Sequence, residues 1–184
     1  MFNIAVIVGS LRKESFNKKL VHALERLNHP NLKLNIIDIN EIPLYNQDNE
    51  SNLPAAVVSL KNAISSADGV LFVTPEYNRS IPGVLKNIID WGTRPYGTNC
   101  WAKKATAIIG TSPGVIGTAV AQSHLRSILV AIDAIVMGQP EVYLVYNNEL
   151  IDEHHHISNE GTTKYLQGFL DTFNLWVEAH NRKP

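Results

Sequence analysis

The sequence predicts a doubly wound α/β sandwich: five parallel strands in the order 2-1-3-4-5, with helices on both faces. Three observations carry this. Short continuous apolar runs, such as Ile4-Ala5-Val6-Ile7-Val8 and Gly69-Val70-Leu71-Phe72-Val73, mark strands buried on both faces. Segments with helical apolar spacing alternate with such runs along the chain, as parallel sheets built from right-handed crossovers require. The second strand, Leu32 to Ile36, alternates apolar and polar residues, which suits a half-exposed edge.

The elements follow in order. The first strand, Ile4–Val8, ends at Gly9-Ser10. Phe16, Leu20, Ala23, Leu24 and Leu27 then recur at helical spacing opposite Lys18, Lys19, Glu25 and Arg26, predicting an amphipathic helix that stops near Asn28 and Pro30. After the edge strand comes a loop rich in Asn, Asp and Pro, from Asn40 to Pro54. Val57, Leu60, Ile64 and Ala67 predict the second helix, and the strand Gly69–Val73 is closed by Thr74-Pro75. A short helix is expected from about Gly83 to Trp91, then a strand from Ala105 to Ile109 closed by Gly110-Thr111-Ser112-Pro113-Gly114. Gly117–Asp133 reads as a long helix with Ala121, Leu125, Ile128, Leu129 and Ile132 inward. Ala134–Val136 and Val142–Val145 supply the last strand, and the terminal helix carries Tyr165, Phe169, Phe173, Trp176 and His180 on one face. No repeat, linker or change in composition divides residues 1–184, so one domain is expected.

Composition narrows the function classes. Lys plus Arg total 16 against 17 for Asp plus Glu, a net charge of -1, which argues against an electrostatic nucleic-acid binder and against an acidic disordered tail. Cys100 is the single cysteine, which excludes an intrachain disulfide and a cysteine-rich zinc site and fits the reducing cytoplasm. The start runs straight into a strand-like segment with no basic region ahead of it, so no signal peptide is expected. The longest uncharged stretch, Ala105 to Leu125, is broken by Pro113 and three glycines, and no membrane partner is expected.

Doubly wound sheets bind ligands at the carboxyl ends of their strands, beside the point where strand order reverses. The loops after Val8, Val73 and Ile109 are therefore the ones to inspect. In the first, Ser10 and Ser15 offer hydroxyls, Asn17 an amide and Arg12 a planar fork of donors, ahead of a helix whose N–H groups and dipole favour an anion. This reads as a phosphate cradle, or as a polar turn with Ser15 as an ordinary helix cap. It lacks both the Gly-Lys-Ser/Thr close of a nucleotide loop and the Gly-x-Gly-x-x-Gly dinucleotide fingerprint. The second loop, Thr74 to Gly83, is stiffened by prolines and offers Tyr77 and backbone amides to a flat heterocycle; the alternative is a rigid turn with Tyr77 packed on a neighbour. The third adds donors from Thr111 to Gly114.

Gly9-Ser10-Leu11-Arg12 with Ser15-Phe16-Asn17, then Thr74-Pro75-Glu76-Tyr77-Asn78, Ser80 through Asn87, and Asp90-Trp91 together resemble the NADPH-dependent FMN reductase family. This is the flavodoxin-like branch that includes chromate, quinone and azo reductases, and the resemblance reaches to about Val145. It implies a flavodoxin-like fold with bound FMN as cofactor and NADPH or NADH as donor. It further implies that Ser10, Arg12, Ser15 and Asn17, with backbone from Leu11 and Phe16, hold the FMN phosphate. Pro75, Glu76, Tyr77 and Asn78 would border the isoalloxazine, and Ser112 and Gly114 would meet its other polar edge. The implied activity is hydride transfer from NAD(P)H through FMN to a quinone, azo compound, chromate or flavin in a ping-pong cycle, with no side chain assigned as acid, base or nucleophile. Homodimers or homotetramers are implied, with Asp90 and Trp91 as interface candidates. An electron carrier without NAD(P)H activity, or a regulatory flavin-binding module, is the alternative.

The resemblance departs at the rim of the opening. Arg79 stands where many relatives carry an aromatic or smaller residue, and Arg79 and Arg94 read either as binders of anionic substrate or as solvated or ion-paired side chains. Asp152-Glu153-His154-His155-His156 is expected to be a solvated loop rather than a metal site, because adjacent histidines diverge. His124 is expected on a surface or packed, and Cys100 is expected to be structural.

Overall fold

The computed structural model describes residues 1–181. Strands β1 (Phe2–Val8), β2 (Leu32–Ile36), β3 (Gly69–Val73), β4 (Ala105–Ser112) and β5 (Ile135–Val136) form a parallel sheet in the order β2-β1-β3-β4-β5. The helices are α1 (Phe16–Leu27), α2 (Ala55–Ser66), α3 (Gly83–Thr93), α4 (Ala119–Ala131) and α5 (Glu160–His180). The predicted strand order stands, with β2 at the edge.

The period-two geometry of the strands sorts their side chains into two cores. Ile4, Val6 and Val8 of β1, with Leu71, Val73 and Ile109, face α1 and α5, where Leu20, Leu24, Phe169 and Phe173 cover them. Ala5, Ile7, Val70, Phe72 and Ile108 face the other way, against Leu60, Ile64, Ile88, Leu125 and Leu129. Burial of each large aliphatic side chain contributes roughly 1.5–3 kcal/mol. Both faces of the central strands are therefore anchored, and their carboxyl ends are fixed platforms.

Four expectations need correction. The last strand is two: after β5, residues Tyr143–Val145 form β6, which pairs with Gly110–Ser112 of β4. Because β6 supplies that partner, β4 runs three residues past Ile109. Helix α4 starts at Ala119 rather than Gly117, since Gly117 and Thr118 both have positive φ, 59° and 77°. Tyr165 is 42% exposed, off the buried face of α5, and its hydroxyl donates to the carbonyl of Glu141. Trp91 lies wholly in the core, donating from Nε1 to the carbonyl of Pro43 at 2.8 Å, so it cannot serve a subunit interface. Asp90 beside it forms an ion pair with Lys86 at 2.7 Å.

The far end of α3 is held by Lys61 of α2, whose ammonium donates to the carbonyls of Gly92, Arg94 and Thr98 at 3.1, 2.6 and 2.7 Å. Partial burial lowers its pKa from the ordinary lysine value. Among the described residues, no helix is long and apolar enough to cross a membrane.

Candidate functional site

The loops that leave β1, β3 and β4 meet at one end of the sheet, at the β1/β3 switch point. Asn17, 2% exposed, fastens the first to the third. Its amide donates to the carbonyl of Thr111 at 2.9 Å, and its carbonyl accepts from the Thr111 N–H at 3.0 Å. The remaining amide hydrogen is the part of Asn17 left for a ligand.

Ser10 and Ser15 are buried beside Asn17. Ser15 caps α1, its hydroxyl accepting from the N–H of Lys18 at 3.4 Å and its carbonyl accepting from Lys19 at 3.1 Å. A helix leaves its first four N–H groups without intrahelical partners, so those of Phe16 and Asn17 remain at the loop. Ser10 Oγ accepts from the N–H of Arg12 at 3.3 Å, which folds the loop into a cup. The guanidinium of Arg12 sits 4.9 Å from the centre of the Phe16 ring, which in turn stacks on Tyr146 at 3.9 Å. Arg12 is otherwise exposed, so its fork is available to a ligand. Hydroxyls, free helix-terminal amides and a guanidinium around one cup are the donor set a phosphate dianion requires. Ser15 is thus the helix cap of the second reading, and the donors it leaves are of the kind the phosphate reading requires.

The second loop is built differently. Tyr77 and Ser80 exchange two backbone hydrogen bonds, both 3.0 Å, around Asn78 and Arg79, whose φ values are 49° and 62°. This is a two-residue hairpin turn of the primed type. Glu76 Oε2 accepts from the N–H groups of Val120 and Ala121 at 3.1 and 3.0 Å, while Oε1 lies 3.4 Å from Arg79. Thr118 gives α4 no side-chain cap, and the carboxylate of Glu76 supplies one from another loop, at the positive end of the helix dipole.

The cavities follow from these walls. A cleft of about 270 Å³ is lined by Ser10, Arg12, Ser15, Phe16, Asn17, Pro75, Glu76, Tyr77 and the segment Thr111–Pro113. A groove of about 580 Å³ is lined by Glu76, Asn78, Arg79 and Ser112–Ile116, and shares Glu76, Ser112 and Pro113 with the cleft. The predicted residues thus gather around one continuous opening, except Leu11, which lines neither part and is 48% exposed. Asn78 and Gly114 belong to the groove alone. Another hollow of about 390 Å³, beside Leu24, His29, Leu32 and Leu170, lies at the opposite end of the sheet, away from these loops.

Other residues complete the site without a sequence signal. A Cβ on Gly110 would stand 2.2 Å from the carbonyl oxygen of Thr74 and 2.4 Å from Thr118 Oγ1, so only glycine lets the second loop and the start of α4 close over β4. Gln122 donates to Thr118 Oγ1 at 3.0 Å and to the carbonyl of Val142 at 2.8 Å. Arg94 is clamped by Glu50, Nε to Oε1 at 2.6 Å and the terminal nitrogen to Oε2 at 3.2 Å, which holds the Glu50 carboxyl below its usual range. His124 meets Ser80 Oγ at 3.1 Å. Burial raises the Cys100 thiol to about 11, which keeps it protonated and unreactive. The loop of His154 and His156 folds around Asp152, whose Oδ1 accepts from both backbone N–H groups at 2.9 and 2.7 Å. Among the described residues, no group of three or more candidate ligands could hold a metal.

The profile of the NADPH-dependent FMN reductase family matches residues 2–149. A 2-hydroxy-1,4-benzoquinone reductase of Burkholderia sp is 51% identical over 174 residues, 95% of each chain. A quinone reductase of Pseudomonas putida is 45% identical over 181 residues, 98% of this chain and 97% of its own. The solved structure of FerB, a flavoenzyme NAD(P)H:(acceptor) oxidoreductase of Paracoccus denitrificans, superposes with a TM-score of 0.94 at 46% identity, covering 98% of this chain and 99% of that one. With its sheet order and its opening at the switch point, the chain belongs to the NADPH-dependent FMN reductase family, flavodoxin-like oxidoreductases that use FMN as cofactor and NAD(P)H as donor.

Proposed function

We propose that this single domain, residues 1–184, reduces small quinone-type acceptors with NAD(P)H: a quinone, NAD(P)H and a proton give the hydroquinone and NAD(P)⁺. The observation that carries the reading is the continuous opening, with a donor-lined cup at one end and an open groove at the other. The names of the two quinone-reductase relatives support quinones over azo compounds, chromate or free flavins.

FMN, when bound, supplies a ring that takes up and returns a hydride. The side chains of Ser10, Arg12, Ser15 and Asn17, with the backbone of Leu11 and Phe16, hold its phosphate. Pro75, Glu76, Tyr77 and Asn78 form the wall along its ring, and Ser112 and Gly114 stand at the other polar edge. Glu76 fixes that wall to α4 and thereby sets its distance from the cup. Donor and acceptor take turns in the one groove, so turnover follows ping-pong kinetics. Tyr77, in the wall of the adjoining cleft, is 51% exposed and gives a flat substrate an aromatic ring to stack against. Assembly as a homodimer or homotetramer and a cytoplasmic location belong to the same proposal.

An anaerobic titration of FMN-loaded protein tests the reading. Loss of the yellow absorbance band at about one equivalent of NADPH, and its return on adding a quinone, is the expected result. A band that persists with both NADPH and NADH, and yields only to dithionite, would show an electron carrier instead.

A further inference from the structure

We propose that Arg79 selects acidic acceptors, an ionised hydroxyquinone being the class that its placement fits; this rests on the reductase reading above.

The placement is unusual for an arginine. Arg79 occupies the second position of the two-residue turn at φ 62°, a conformation that glycine adopts freely and that side chains disfavour. Its side chain is 66% exposed at the rim of the groove, and its acidic neighbour, Glu76, is 3.4 Å away, a long contact. Glu76 is already engaged by the N–H groups of Val120 and Ala121 at the positive end of α4. Those two N–H groups hold Oε2, and Arg79 meets only Oε1. The other residues lining the groove, Asn78 and Ser112–Ile116, carry no charge. Arg79 spends one N–H on Glu76 and stays largely exposed, so the other donors of its fork remain available to an anion at the groove rim.

Two other arginines are occupied. Arg94 is clamped by Glu50, and Arg126 donates to the carbonyl of Met137 at 2.7 Å with Glu141 at 3.6 Å. Arg12 belongs to the cup.

A hydroxyl on a quinone ring is a vinylogous carboxylic acid and is ionised at neutral pH. Its charge is shared with the carbonyl oxygen on the far side of the intervening ring carbon, and the carbonyl next to it completes an adjacent pair of acceptors, to which a planar guanidinium donates through two parallel bonds. An unsubstituted quinone offers neither the charge nor that pair. The phosphate of NADPH is the other source of negative charge in the same groove, so the test separates the two.

The test uses the FMN-loaded full chain, its R79Q and R79K variants, and the substrates 2-hydroxy-1,4-benzoquinone and 1,4-benzoquinone. The readout is the ratio of kcat/KM for the hydroxylated over the plain quinone. It should fall about tenfold in R79Q, as for loss of one partly solvated charge contact, and recover only in part in R79K, which restores the charge but not the two parallel bonds. Added salt should lower the ratio in the parent protein and leave it unchanged in R79Q. An unchanged ratio in R79Q overturns the proposal. So does a change in the NADPH over NADH ratio with the quinone ratio unmoved, which would assign Arg79 to the donor phosphate. Fluorescence quenching gives the Kd of 2-hydroxy-1,4-benzoquinone separately. If the parent protein turns over neither quinone, tighter anion binding than in R79Q upholds the charge recognition while the reductase reading fails. Equal binding in parent and R79Q overturns the charge recognition itself. Thermal melts of both variants check that the turn still folds.

Discussion

The loops after β1 and β3 end neighbouring strands, yet they use their polar groups in opposite ways. The first keeps its donors free: the Arg12 fork and the N–H groups of Phe16 and Asn17 have no carbonyl to serve. The second satisfies itself: Tyr77 and Ser80 close a turn on each other, and Glu76 binds the start of α4. A ligand site needs both kinds. Free donors bind, and a self-satisfied loop gives a wall that keeps its shape whether or not anything is bound.

That contrast can be broken by substitution. Asn17→Leu should have the largest effect, lowering stability by about 3 kcal/mol, because it leaves a buried N–H and a buried carbonyl of Thr111 unpaired. Urea unfolding of the cofactor-free protein measures it, and a loss below about 1 kcal/mol would mean that other contacts join the two loops. Arg12→Ala should weaken FMN binding by about 2 kcal/mol, roughly thirtyfold. Its effect on the stability of the cofactor-free chain should stay within about 0.5 kcal/mol, read by flavin fluorescence and urea unfolding respectively. Glu76→Ala should do the reverse in kind: about 1 kcal/mol of stability lost through the missing cap on α4, visible in the same unfolding curves. Arg79→Gly should raise stability by about 0.5 kcal/mol, since glycine relieves the positive φ but adds freedom to the unfolded chain. A drop in the melting temperature of that variant would show that the Arg79–Glu76 contact matters more than the strain.

Much of this was legible in the sequence because it is local. Apolar runs gave the buried strands, alternation in Leu32–Ile36 gave the edge, and the position of Ser15 before Phe16 gave the helix start. The motifs at residues 9–17 and 74–87 located the opening. What escaped was long-range. Asn17 looks like a ligand donor alone, yet Thr111, 94 residues away, takes its carbonyl and one of its amide hydrogens. Glu76 reads only as part of the ring border, and its bond to the start of α4, 44 residues later, has no local signal. Trp91 looked like a contact residue because nothing in its own helix reveals that Pro43 accepts its indole N–H. The split of the last strand was hidden for a similar reason: β6 is three residues long, too short for any period to show, and it exists because β4 has an unpaired end to offer.

The bond between Asn17 and Thr111 also constrains when a cofactor can bind. The cup lies near the start of the chain, but its geometry is completed only when β4 has joined the sheet. An N-terminal fragment ending before β4 would carry the Ser10, Arg12 and Ser15 donors without the clasp that aligns them. With the cofactor placed in the cup as proposed, it would bind only the finished fold, and its binding free energy would add to the stability of the whole domain. At a free concentration one hundred times Kd that amounts to about 2.7 kcal/mol. In a cell, the supply of flavin would then set how long each copy of the chain survives proteolysis.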